Sequence, residues 1–265
     1  MPVLTGSDIT IVKELVRDAG SLAHEHQKMN LDVRRKADTT IVTEADYLVQ
    51  EMLLKNLKSR FPRANYVYEE DFDRSISLFT EDSLSIVIDP IDGSAMFSMH
   101  LPIWCVSVGV FEGFRPVYGF VYSPASDLFF HCDGTHSYLN DVPLAVDHDL
   151  RVESETNIFY ASEIHKSYRV CFPGKVRNLG STALQASLVA DNRRNRTIAF
   201  VGRSFLWDWA GAIPVILCAG GSVRYINGAE VDYRDIVLNR YCLPDFLVAY
   251  SSRKFEETIP FFVKL

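Results

Sequence analysis

The stretch Asp89-Pro90-Ile91-Asp92-Gly93-Ser94 follows the apolar run Leu84-Ser85-Ile86-Val87-Ile88. The run reads as a buried strand. Two carboxylates therefore leave its end, with a proline that stiffens the turn and a glycine that lets backbone approach a ligand. Carboxylates crowded in this way repel each other unless a cation lies between them, and hard oxygen donors of this kind suit Mg²⁺ or Mn²⁺. An acidic turn that only caps a strand is the other reading of the same six residues. The rest of the chain has to separate the two.

Outward from this stretch the apolar period changes. Ile9, Val12, Leu15, Val16, Ala19, Leu22, Ala23 and His26 recur at helical spacing behind Ser7 as N-cap, and a second helix runs from after Thr43 to Phe61-Pro62. Strands are expected at Leu84–Ile88, 104–111, 116–122 and 128–132, with Glu112-Gly113 as a hairpin turn. Further strands are expected at 157–161, 197–201, 222–226 and 246–249. Helices are expected from Ser181 to about Ala190, from Trp207-Asp208 to Gly220-Gly221, and at the end of the chain. Pro214 should break or kink the second of these unless it falls in a first turn. Two helices, an antiparallel sheet, then alternating β and α argue for a layered α+β fold. A seam near 140–149 divides it into halves of 1–145 and 146–265 that form one compact unit.

The composition narrows the function. A chain of 265 residues, 48% hydrophobic and 23% charged, is an ordinary globular protein with room for a sizeable core. Its 27 basic against 34 acidic side chains leave a net charge of −7, which argues against a nucleic-acid partner. The five cysteines (105, 132, 171, 218 and 242) are odd in number and form no CxxC pair, so they read as core thiols in a reducing compartment. Charged residues interrupt the N-terminal apolar positions and no run is long enough to span a bilayer. These features predict a cytoplasmic protein with no membrane partner.

Four further features contribute acids or anion-binding backbone. Lys36-Ala37-Asp38-Thr39-Thr40-Ile41-Val42-Thr43-Glu44-Ala45-Asp46 precedes a helix, and Thr43 with Asp46 also has the form of a capping box. Glu69-Glu70 follows the apolar Tyr66-Val67-Tyr68. Adjacent side chains on a strand point oppositely, so only one of the two would reach a shared metal, and taken alone the pair reads as a solvated acidic turn continued by Asp71 and Asp73. Asp208 opens an apolar helix beside Trp207, as a ligand or as an N-cap. Arg177-Asn178-Leu179-Gly180-Ser181-Thr182 enters a helix N-terminus, a setting that favours anions. Singly, each has an ordinary structural reading.

Taken in order, these segments resemble the inositol monophosphatase family, whose wider superfamily includes fructose bisphosphatases and phosphoadenosine phosphate phosphatases. The family's Lys-x-Asp…Val-Thr-x-Ala-Asp segment corresponds to Lys36–Asp46, its Gly-Glu-Glu to Tyr68-Glu69-Glu70, and its Asp-Pro-Ile/Leu-Asp-Gly-Thr to Asp89–Ser94. Its late Trp-Asp-x-Ala-Gly helix, ending Ala-Gly-Gly, corresponds to Trp207–Gly221. The resemblance implies an αβαβα sandwich of the sugar-phosphatase type, a homodimer, lithium sensitivity, and Mg²⁺-dependent hydrolysis of a small phosphate monoester by a metal-activated water. Two to three Mg²⁺ are implied, with Mn²⁺ as a substitute. Glu69, Asp89 and the Ile91 carbonyl would hold one ion, and Asp89, Asp92 and Asp208 a second. Gly93 and Ser94 N–H groups would meet the phosphate, Ser94 with Asp46 and Glu69 would serve catalysis, and Asp92, Thr182 and Arg203 would contact substrate.

Departures from the family leave the substrate open. Ser94 replaces the usual Thr and loses a methyl, Tyr68 replaces a Gly, and Ala95-Met96-Phe97 matches neither inositol nor phosphoadenosine phosphatases. Where inositol phosphatases carry a Glu for inositol hydroxyls, the chain reads Phe200-Val201-Gly202-Arg203-Ser204. Arg203 either favours a second anionic group, such as that of a bisphosphate or a nucleotide, or is an exposed loop arginine. Inositol or another sugar monophosphate is the first expectation, and phosphoadenosine phosphate or a sugar bisphosphate the alternative. A metal-binding regulatory homologue without turnover is the alternative of another class. Phosphatases with an aspartyl nucleophile space their acids Asp-x-Asp, which the Asp89–Asp92 spacing does not match.

Overall fold

In the computed structural model, which describes residues 4–29, 32–36, 41–251 and 257–265, the helical periodicity near the N-terminus becomes a helix over Gly6–Gln27. It buries Val12, Val16, Ala19 and Ala23 along one stripe. Its N-cap is Thr5 rather than Ser7. The Asp8 N–H donates to the Thr5 hydroxyl at 3.2 Å while the Thr5 N–H donates to the Asp8 carboxylate at 2.8 Å. The second helix, Glu44–Arg60, stops before Phe61-Pro62 and buries Val49, Leu53 and Leu57.

Both helices lie on one face of a seven-stranded sheet ordered Asn65–Tyr68, Leu84–Asp92, Cys105–Glu112, Arg115–Ser123, Leu128–Cys132, Ser137–Leu139 and Val142–Leu144. The first pair is parallel and the rest are antiparallel. Alternation divides the strand that carries the aspartates: Ile86 and Ile88 face the N-terminal helices, and Val87 faces the other way. Both faces are buried, so from Leu84 to Ile88 the strand is apolar apart from the buried Ser85.

The opposite face packs on the helices Thr182–Ser187, Leu206–Ala210 and Ala212–Cys218. These separate it from a five-stranded sheet ordered Lys175–Arg177, Asn157–Tyr160, Thr197–Gly202, Leu247–Tyr250 and Ser222–Tyr225. The first three strands are parallel, the fourth runs against them, and the fifth runs against the fourth and so with the first three. The far face of this sheet buries Ile158, Val201 and Val248 under Ile164, Phe246 and Phe262, so a 3-10 turn and a short ribbon form the outermost layer there. The architecture is the α+β sandwich expected.

Several local expectations change. The expected long helix beginning at Trp207-Asp208 divides at Gly211, and Pro214 falls in the first turn of the second piece, where its missing N–H leaves no helical bond broken. The helix at Ser181 is α only over Thr182–Ser187 and continues as a 3-10 turn to Asp191. Instead of a closing helix, the described C-terminal residues form a 3-10 turn, Ile259–Phe261, and a strand, Phe262–Lys264, paired with Tyr168–Val170. Cys105 and Cys132 are core thiols as expected, but Cys218 and Cys242 are half-buried and Cys171 is exposed. Among the described residues, no helix is long and apolar enough to cross a membrane.

The divided helix reaches the sheet through two glycines. Gly109 and Gly119 are paired neighbours on adjacent strands. A Cβ on Gly109 would lie 2.3 Å from the Ala210 carbonyl oxygen, and one on Gly119 2.0 Å from that of Gly211. Only a residue without a side chain allows this approach, and the approach sets the depth of Asp208. Gly119→Ala is expected to lower unfolding stability by about 3 kcal/mol or more through overpacking. Chemical denaturation checks this, and a change within 1 kcal/mol would refute the close contact.

Candidate active site

The strand expected to end at Ile88 continues to Asp92, and its continuation explains the site. Asp89 pairs with Ser107 while Asp92 pairs with Cys105, so three steps on one strand match two on its partner. That extra residue is a bulge. In a regular strand, residues three apart point to opposite faces, whereas one inserted residue returns them to the same side. Pro90, which cannot donate to a ladder, sits inside the irregular stretch. Gly93 then turns the chain with φ +99°, and a helix starts at Ser94. The helix is held from below by Phe97, edge-on to Trp104 at 4.9 Å, and by the Gln27 amide, which donates to the Phe97 and Leu101 carbonyls at 3.1 Å.

A cleft of about 370 Å³ opens here, lined by Glu69, Asp89, Asp92, Ser94, Thr182 and Asp208 together with Ile91, Gly93 and Gly180. One carboxylate oxygen from each of Asp89, Asp92 and Asp208 lies within 4.8 Å of the others. Glu69 lines the cleft, while Glu70 is buried and lines a neighbouring groove. The Lys36 ammonium donates to both acids at 2.7 Å. Burial works against that ammonium, but Glu69 and Glu70 outweigh it and hold its pKa above the ordinary value. Asp38, Thr39 and Thr40 of the same segment lie outside the described residues.

Each acid is held differently. Asp92 accepts hydrogen bonds from the Ser181 hydroxyl, from Thr182 N–H at 3.1 Å and from Ala183 N–H at 2.6 Å. The Ser181–Thr182 helix entry is thus filled by a carboxylate of the chain itself. Asp208 sits in the first turn of its helix and accepts from Phe205 N–H at 2.8 Å. Asp46 does two things at once: Oδ2 accepts from the Thr43 N–H and hydroxyl at 2.8 and 2.7 Å, and Oδ1 accepts from the Ser94 hydroxyl at 3.1 Å. Asp46 thus closes the capping box and at the same time touches the Ser94 hydroxyl that lines the cleft. Asp89 is fully buried, and neither of its carboxylate oxygens has a hydrogen-bond partner among the described residues.

The electrostatics follow from this crowding. Burial, then Glu69, Asp92 and Asp208, drive the Asp89 carboxyl well above its ordinary value. Burial and the neighbouring acids push Asp208 to about 8. Burial raises Asp92 to about 6 against its three hydrogen bonds, and raises Asp46 to about 6 against those from Thr43. A buried group of acids with one member wholly unpartnered is a donor set that fits a hard divalent cation.

Two residues were not legible as part of this region. Arg74 lies with its guanidinium 4.1 Å from the Phe205 ring centre and 5.0 Å from that of Trp207, whose rings stack at 4.6 Å and 13°. It braces the helix start that carries Asp208, yet nothing in its sequence neighbourhood signals that. Ser181 was readable as a helix entry, and only the fold shows that its hydroxyl serves Asp92. Arg203 is the opposite case. Strand alternation sends Phe200 toward the central helices and Val201 to the far face, so Arg203 emerges in an adjoining cavity rather than in the acidic cleft.

Residues 7–257 match the model of the inositol monophosphatase family. The chain belongs to that family. Among its curated relatives, inositol monophosphatase 3 of Solanum lycopersicum is 30% identical over 240 residues, covering 84% of this chain and 88% of the relative. In structure the chain is similar to the IMPase of Thermotoga maritima, with a TM-score of 0.79, 23% identity and 96% of each chain covered. It is also similar to an IMPase/NADP phosphatase complexed with Mg²⁺ and phosphate, with a TM-score of 0.76, 16% identity, and 94% and 92% covered. At these identities the two solved structures establish the fold alone. Inositol monophosphatase family membership makes the protein a phosphoric monoester hydrolase.

Proposed function

We propose that the protein hydrolyses the phosphate monoester of a small polar alcohol, with Mg²⁺ held by Glu69, Asp89, the Ile91 carbonyl, Asp92 and Asp208. The observation that carries this reading is the pair of buried, unpartnered Asp89 oxygens among three other acids. Magnesium and phosphate together in a structural relative support the choice of ion. When bound, Mg²⁺ supplies Lewis acidity, acidifying water and neutralising phosphate charge. The lithium sensitivity and homodimer of the family belong to the same reading.

The chain's own groups do the positioning. Ser94 Oγ lies 3.1 Å from Asp46 Oδ1 and 3.0 Å from the Ile91 carbonyl. A hydroxyl has one proton, so above the raised Asp46 pKa of about 6 it donates to the ionised carboxylate. Its lone pairs then accept from the attacking water, and the proton moves from water to Ser94 Oγ while that of Ser94 moves to Asp46 Oδ1. The first N–H groups of the 94–98 turn have no helical acceptor and would bind phosphate oxygens.

Phosphate release from a panel of sugar, inositol, nucleotide and histidinol phosphates, with and without Mg²⁺ and Li⁺, tests the proposal. Release that requires Mg²⁺ is expected. Mg²⁺ binding without turnover of any panel member would instead make the protein a regulatory homologue. Ser94→Ala is expected to lower kcat by about 10²- to 10⁴-fold, the usual worth of positioned proton transfer, while Ser94→Thr keeps the hydroxyl and the rate. An unchanged kcat in Ser94→Ala would remove Ser94 from the proton path.

A further inference from the structure

The five-stranded sheet offers a second cavity beside the acidic cleft. Its three parallel strands, Lys175–Arg177, Asn157–Tyr160 and Thr197–Gly202, end on the same side, and ligands of open α/β sheets collect outside such carboxyl ends. The segment after the first strand puts Gly180 in the cleft wall. The segments after the other two put Ser162, Glu163 and Lys166, and Arg203, Ser204 and Phe205, around a separate space of about 320 Å³.

Cleft and cavity share two walls. Phe205 lines the cavity and its N–H donates to Asp208, which lines the cleft. On the other side, Ser162 accepts from the Asn178 side-chain amide at 2.9 Å, and Asn178 in turn accepts from Gly180 N–H at 2.7 Å. The two spaces are therefore neighbours, and an alcohol portion that leaves the cleft over either wall would reach the side where Arg203 lies. The two spaces together suit one small ligand, since each alone is near the lower limit for such sites, about 300 Å³.

The charge of the cavity is opposite to that of the cleft. The Arg203 Nε donates to the Leu243 carbonyl at 3.1 Å, which fixes the plane of the guanidinium, and the residue as a whole is exposed. Among the described residues no carboxylate pairs with it. Lys166 supplies a second cation, partly compensated by Glu163 at 2.6 Å. In a chain of net charge −7, two cations against one acid in a hollow beside the catalytic acids form a local inversion of sign. An arginine with its fork free matches a carboxylate or phosphate.

From this we infer that Arg203 selects substrates carrying a second anionic group, so that the enzyme prefers a bisphosphorylated small molecule to the corresponding monophosphate. The inference rests on the proposed phosphatase site and adds the substrate class. The test compares a hexose 1,6-bisphosphate with the matching hexose 1-phosphate, for the wild-type enzyme, Arg203→Gln and Arg203→Lys, with Mg²⁺ present. The wild type is expected to favour the bisphosphate in kcat/KM. Arg203→Gln should lower that preference by about 10- to 100-fold, the worth of one charge-assisted hydrogen bond, and Arg203→Lys should restore part of it. A merely structural role would change both substrates equally and leave the ratio untouched, and that result overturns the inference, as does a wild type without preference. If neither ester is hydrolysed, the phosphatase reading fails separately. Calorimetric binding of the same two esters then decides the subsite: tighter bisphosphate binding that Arg203→Gln removes supports it, and equal binding overturns it.

Discussion

Asp89→Asn is expected to lower Mg²⁺-dependent phosphate release by on the order of 10³-fold or more, equivalent to about 4 kcal/mol of transition-state stabilisation. The size follows from its position. Asp89 is the acid whose two oxygens both lack a hydrogen-bond partner, and it is surrounded by Glu69, Asp92 and Asp208. The same crowding makes a second, opposite expectation: in chelator-treated protein the variant should melt no lower than the wild type, because an amide removes one buried negative charge. The pair of measurements separates lost chemistry from lost folding. Activity within tenfold of wild type would remove Asp89 from the metal site.

Chelation should destabilise the protein, and more so at high pH. Burial and mutual repulsion raise Asp92 to about 6 and Asp208 to about 8 in the folded chain, whereas unfolded aspartates titrate near 3.9. Glu70, raised to about 7 chiefly by burial and Glu69, has the same sign. The folded state thus holds protons that the unfolded state has released. That stability is complete below about pH 4 and is lost as pH rises through about 8. Bound Mg²⁺ reverses the effect at neutral and higher pH by replacing the protons. At a hundredfold excess over Kd it contributes about 2.7 kcal/mol, or roughly 5–10 °C in Tm for a chain of this size. Thermal melts with Mg²⁺ and with chelator at pH 5.5 and pH 8 check this. The larger shift is expected at pH 8, and a shift that is absent or larger at pH 5.5 contradicts it.

Much of this site was readable because its acids sit where local patterns change. Asp46, Asp89, Asp92 and Asp208 each stand at the boundary of an apolar run, and their order along the chain resembled one family closely enough to name it. The strand containing Asp89 was readable because both its faces are buried, which makes it apolar from Leu84 to Ile88 except for Ser85. Arg74 was not readable, since cation–π stacking on Phe205 and Trp207 leaves no periodic trace. The short strands at Ser137–Leu139, Val142–Leu144 and Lys175–Arg177 were missed for a related reason: three residues are too few to show alternation.

By itself, then, the sequence determined the layered α+β class, the acids of the cleft and the family, because hydrophobic periodicity and residue order are properties of the chain. The tertiary structure decided what those acids face. A bulge between Asp89 and Asp92 turned both carboxylates to one side. Two glycines let the Asp208 helix press on the sheet, and strand parity carried Arg203 into the neighbouring cavity. Each of these depends on register between segments distant in sequence, which no local pattern records.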